Sequence, residues 1–127
     1  MGNLERLEEI IAALPEFERV DIENWGGHPS FRVRGKNFVF SNLEGTSLSL
    51  KLSQEEAVAV VATDPDAEAM GYGLGRHGWI AFTLDPEPTA DRWEEVREWV
   101  LTSYTLVAPE ALARQLDAAM GQGPATA

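Results

Sequence analysis

The chain of 127 residues contains no cysteine, only two histidines, and ten Lys+Arg against 21 Asp+Glu. The missing cysteine excludes disulfides, thiolate metal sites and a cysteine nucleophile. His28 and His77 stand far apart, and neither HExxH nor EF-hand spacing occurs. No apolar run approaches the ~20 residues that span a bilayer. Met1–Arg6 lacks the basic start and apolar stretch of a secretory leader, so a cytoplasmic protein without membrane contact is expected. Ser30, Ser41, Ser49 and Ser103 sit in no nucleophile elbow. No catalytic residue, metal ligand set or cofactor is therefore assigned, and an enzyme is not expected.

The shortage of bases gives a formal net charge of −11. A chain this acidic repels nucleic acid at long range, because affinity for it comes mostly from phosphate neutralisation. The charge is uneven, however. Residues 1–24 hold seven acids and two bases, whereas residues 25–53 hold Glu44 against Arg32, Arg34, Lys36 and Lys51. Residues 54–83 hold five acids and Arg76, and residues 84–127 hold eight acids and three bases. Positive charge is concentrated in the middle of the chain.

At this length the chain can bury one core without covalent staples. Residues 1–120 read as a single domain and residues 121–127 as a disordered tail. Leu4, Leu7, Ile10, Ile11 and Leu14 recur at helical spacing, with Glu5, Glu8 and Glu9 opposite, until Pro15 stops the helix. A first strand is expected from Glu16 towards Trp25. Phe31 and Val33 alternate with Arg32 and Arg34, Gly35 supplies a turn, and Asn37–Ser41 returns with Phe38 and Phe40 assigned to the core. Leu48, Leu50 and Leu52 alternate with Ser49 and Lys51 in a further strand. Ser53 and Glu56 form a capping box ahead of a helix over residues 54–62. Residues 66–78 read as a polar, glycine-rich loop. Ile80, Phe82 and Leu84 point inward from the next strand, with Trp79, Ala81 and Thr83 outward. A long helix over residues 90–106 follows, and Pro109 opens a last one. The fold class expected is α+β: a two-layer sandwich, with an antiparallel sheet covered by helices on one face.

The other face would then be at least partly open. The candidate binding residues are Arg32, Arg34, Lys36, Lys51, Arg76, His77 and Trp79. Arginine forks grip phosphate in bidentate fashion, and an indole offers a stacking surface for a base. An ordinary solvated sheet face, or bases paired with the chain's own carboxylates, accounts for the same residues. Gly73-Leu74-Gly75-Arg76-His77-Gly78 precedes a strand rather than a helix, so it fits neither a P-loop nor a dinucleotide fingerprint.

Gly27-His28-Pro29-Ser30-Phe31-Arg32-Val33-Arg34-Gly35-Lys36-Asn37-Phe38 resembles the G-x-P-x-F-[KR]-V-x-G-K-x-F signature of the MmcQ/YjbR-like family. Leu48-Ser49-Leu50-Lys51, Tyr72–Ile80 and Ser103-Tyr104 with Leu106-Val107 match further pieces in order, over roughly residues 4–118. The resemblance implies a small bacterial α+β protein of CyaY-like (frataxin-like) fold. Such proteins are described as DNA-binding from a double-wing likeness and have no agreed catalytic residues. The expected partner is nucleic acid or another anionic ligand on the open face. Self-association or a protein partner through that face is the alternative. By its likeness to frataxin, the acidic set Glu5, Glu8, Glu9, Glu16, Glu18, Asp21 and Glu23 suggests weak metal binding as a third reading.

Overall fold

Two-residue periodicity builds the centre of the protein, as the computed structural model of residues 2–23, 26–71 and 74–116 shows. Four consecutive strands form an antiparallel meander: β1 (Phe17–Ile22), β2 (His28–Val33), β3 (Lys36–Ser41) and β4 (Ser47–Lys51). β6 (Trp79–Thr83) pairs with β4, and the short β5 (Ala67–Ala69) closes that side, giving the order β1-β2-β3-β4-β6-β5. Helices α1 (Asn3–Ala12), α2 (Gln54–Thr63) and α3 (Ala90–Val107) pack on one side of the sheet. Residues 110–116 form a further helical stretch. The fold class is therefore the expected α+β sandwich.

The core lies between the sheet and α1 and α3. Phe31, Val33, Leu48, Leu50, Leu52, Ile80, Phe82 and Leu84 meet Leu7, Ile11, Val96, Val100 and Tyr104, all essentially inaccessible to solvent. Local chemistry fixes the helix starts. The Ser53 hydroxyl accepts from the Glu56 N–H, and Thr89 caps α3 by accepting from the Arg92 N–H.

The β2–β3 turn is the two-residue loop Arg34-Gly35, with φ of 51° and 80°. Positive φ at both positions is the type I′ geometry whose twist suits a hairpin.

Three expectations need correction. Phe40 is not in the core. Phe31 pairs with Val39 but Arg32 pairs with Asn37, so Phe38 is an extra residue on β3. This bulge turns both Phe38 and Val39 to the helix side and sends Phe40 to the other face, where it meets Trp79. Residues 66–78 are not all loop, since they include β5 and a 3-10 turn at Leu74–His77. β1 stops at Ile22; Trp25, Tyr72, Gly73 and the 121–127 tail lie outside the described residues.

An ion pair closes the α2–β5 corner. Arg92 donates from Nη1 to Asp64 Oδ2 at 2.7 Å and from Nη2 to Asp64 Oδ1 at 3.2 Å. The guanidinium also lies 5.7 Å from the Phe82 ring centroid and 5.3 Å from that of Trp99. Hydrogen bonding to Arg92 holds the Asp64 carboxyl below its usual range. A depressed carboxylate contributes stability above its unfolded pKa and loses it as pH falls through the folded value. Asp64→Asn is therefore expected to cost about 1–2 kcal/mol at neutral pH. It should cost progressively less in acid below about pH 4, the ordinary carboxylate range. Urea midpoints measured across pH check this; a cost that stays constant into strong acid would contradict it.

Candidate functional site

The pairing register sorts the side chains between the two faces. Glu18, Val20 and Ile22 on β1 lie level with Arg32, Ser30 and His28 on β2. Ser30 and Arg32 lie level with Phe40 and Asn37, Phe40 with Ser49, and Ser49 and Lys51 with Ala81 and Trp79. These residues form the face opposite the helices. Ser30 is fully buried within it, while Arg32, Asn37, Phe40, Ser49, Lys51 and Trp79 are each half-buried.

Two contacts organise this face. The Asn37 side-chain oxygen accepts from Arg32 Nε at 2.7 Å and from the Ser30 hydroxyl. Asn37 thus ties the Arg32 side chain to β3. The Phe40 and Trp79 rings lie 5.7 Å apart, tilted by 48°, and form an aromatic pair next to Lys51. Neither Asn37 nor Phe40 was a candidate in the sequence. Strict alternation hid Phe40, and no motif marked Asn37, which the β2–β3 register sets level with Arg32 and diagonal to Ser30.

The strand directions bring the predicted residues to one end of the sheet. Arg32 is two residues from the β2–β3 turn, and Lys36 opens β3. Lys51 ends β4 opposite Trp79, which begins β6. Arg76 and His77 lie just before it; both are exposed, and the Arg76 carbonyl accepts from Gln54 Nε2 at the start of α2. β2 and β6 are three strands apart, so the cluster is roughly 14 Å wide.

Not all these cations face the open side. Lys36 pairs with Val33, which places it on the helix side at the rim. Arg34 is held by a carboxylate: its Nε and Nη2 donate to the two Glu16 oxygens at 2.6 and 2.9 Å. That fork pulls the Glu16 carboxyl below its usual range and raises the guanidinium. Among the described residues, Arg32, Lys36, Lys51 and Arg76 have no carboxylate within ion-pair distance. Glu18, beside Arg32, is the acid on that part of the face.

The acidic ridge is dispersed. Glu8 and Asp21 both engage Arg19, and Glu16 engages Arg34. Among the described residues no three His, Asp or Glu side chains gather around a common point that would suit a metal ion. No helix among them is long and apolar enough to cross a membrane.

Comparison with known proteins supplies the relationship. No curated protein matches the chain. Among solved structures it is similar to the Deinococcus radiodurans protein DR2400, family-model domain DUF419. The TM-score is 0.69 at 23% identity, over 91% of this chain and 88% of that one. A family model described as YjbR matches residues 12–106, a stretch running from the end of α1 through nearly all of α3. The chain belongs to the YjbR family.

Proposed function

We propose that the protein is a binding module, not an enzyme, and that it takes single-stranded nucleic acid at the basic end of its uncovered sheet face. The observation that supports this reading is that Arg32 and Lys51 on this face, with exposed Arg76 just before β6, stand at the end of the sheet that carries the Phe40–Trp79 pair and have no carboxylate within ion-pair distance among the described residues. An aromatic pair rewards unstacked bases, which a duplex keeps inside its stack. A patch this narrow also neutralises few phosphates, and the charge of −11 opposes any longer contact. Both considerations favour a short single strand over duplex DNA.

Fluorescence anisotropy with labelled single-stranded and double-stranded oligonucleotides tests this. Single strands are expected to bind more tightly than duplex. Three neutralised phosphates, at Arg32, Lys51 and Arg76, imply a log–log salt slope of roughly −2. The double substitution R32A/K51A is expected to flatten that slope by about 1.4. No binding of either oligonucleotide at low salt would overturn the proposal. A slope unchanged by R32A/K51A would remove those two residues from it.

A further inference from the structure

The two ends of the sheet are protected unequally. β5 has only three residues, and the Ala67 N–H is taken up by the Asp64 carbonyl at 3.1 Å. β1 has six residues and pairs only with β2. No described residue hydrogen-bonds to its outer edge. A strand of this length with open backbone groups is a template for another strand.

The backbone directions can be read from the neighbouring turns. The Ile22 carbonyl accepts from the Gly27 N–H at 3.0 Å, so Ile22 directs its groups towards β2. Alternation then directs Glu18 and Val20 towards β2, and Phe17, Arg19 and Asp21 outward. The β2–β3 hairpin agrees: Val33, next to its two-residue turn, bonds to β3, which leaves Ser30 and Arg32 for β1.

Outward groups can pair antiparallel with those of a second copy in three central registers. One sets Arg19 against Arg19, and another sets Asp21 against Asp21; each places like charges on the twofold axis. The third sets Arg19 of each copy against Asp21 of the other, with the two Val20 residues on the axis. Like charges directly opposite destabilise a strand pair, and opposite charges stabilise it. We infer that β1 is a self-association edge, and that two copies pair β1 antiparallel about Val20, with Arg19 and Asp21 reciprocally matched.

The same charges explain the selectivity. Arg19 and Asp21 lie on the helix side of the strand, where Asp21 Oδ1 accepts from Arg19 Nε at 2.8 Å. Charges placed there obstruct pairing with an unrelated apolar strand. The chain's own β1 carries the complement. This contact uses the sheet edge and leaves the Phe40–Trp79 face clear, so it is independent of the nucleic-acid proposal.

The chain has no cysteine, which makes the register directly readable. Val20→Cys places two thiols across a non-hydrogen-bonded pair, about 4.5 Å between Cα atoms. Mild oxidation is expected to give a covalent dimer. Arg19→Cys and Asp21→Cys, each about 7–8 Å from its own copy, should not self-link efficiently. Efficient linking of either one instead of Val20→Cys would overturn the register. In sedimentation, Asp21→Pro removes an outward N–H and the carboxylate while leaving the β1–β2 ladder its donors. It is expected to weaken self-association at least about tenfold, with circular dichroism unchanged. A wild-type chain that stays monomeric at about 1 mM, where even weak specific association shows, would overturn the edge itself.

Discussion

Gly78→Ala is expected to lose on the order of 3–5 kcal/mol, a large share of what holds a domain of this size together. Gly78 has φ of +88°, and a Cβ there would lie 1.9 Å from the Leu52 carbonyl oxygen. The clash is with backbone that cannot retreat. The Leu52 N–H donates to the Gly78 carbonyl at 2.9 Å, so moving either segment breaks the link between the end of β4 and the start of β6. Trp79 and Lys51 stand on either side of that link. Gly35 provides the comparison. It also has positive φ, +80°, but nothing lies within 4 Å of a Cβ placed there. Gly35→Ala should cost only the left-handed backbone penalty, about 1–2 kcal/mol. Urea midpoints of the two variants measure the difference; equal losses would show that the backbone contact at Gly78 is easily relieved.

Ser103→Ala is expected to destabilise by about 2–4 kcal/mol although it removes a single oxygen. The ladder between β3 and β4 ends at the Val39–Leu50 pair, and just beyond it the Phe38 carbonyl and the Lys51 amide are left to be satisfied. The Ser103 hydroxyl, fully buried on α3, serves both. It donates to the Phe38 carbonyl at 2.6 Å and accepts from the Lys51 N–H at 2.9 Å. Losing the hydroxyl orphans a buried carbonyl and a partly buried N–H; an unsatisfied buried group costs about 1–3 kcal/mol. Ser103→Thr keeps the oxygen and should recover part of the loss. Denaturation of both variants decides this; if alanine and threonine were equally damaging, packing rather than hydrogen bonding would account for the residue.

These residues also show where sequence reading reaches its limit. Alternation revealed the helix-side pattern of β2, β4 and β6, because each such strand keeps its period to the end. The Ser53 and Glu56 spacing revealed the start of α2, because a cap is a local interaction. β5 escaped notice, since Ala67-Glu68-Ala69 is too short and too small to carry a period. Phe40 was misassigned because the bulge leaves no mark in the residue order. Which residue is the extra one is decided by the pairing with β2, not by the order of residues along β3. Arg34 stood among the candidate binding residues with pairing to the chain's own carboxylates as the alternative, and its partner Glu16 lies 18 positions earlier, where no local pattern points to it. The basic end of the sheet was legible as composition, but the division of its charges between the two faces was not.

The Ser103 bridge also bears on the order of folding events. Its two bonds span 65 and 52 residues of sequence, so they form only after α3 has been brought back to the sheet. Contacts of such separation carry a large loop-closure cost before they contribute anything. The link from α3 to the ends of β3 and β4 is therefore a late contact, and Ser103→Ala is expected to speed unfolding more than it slows folding.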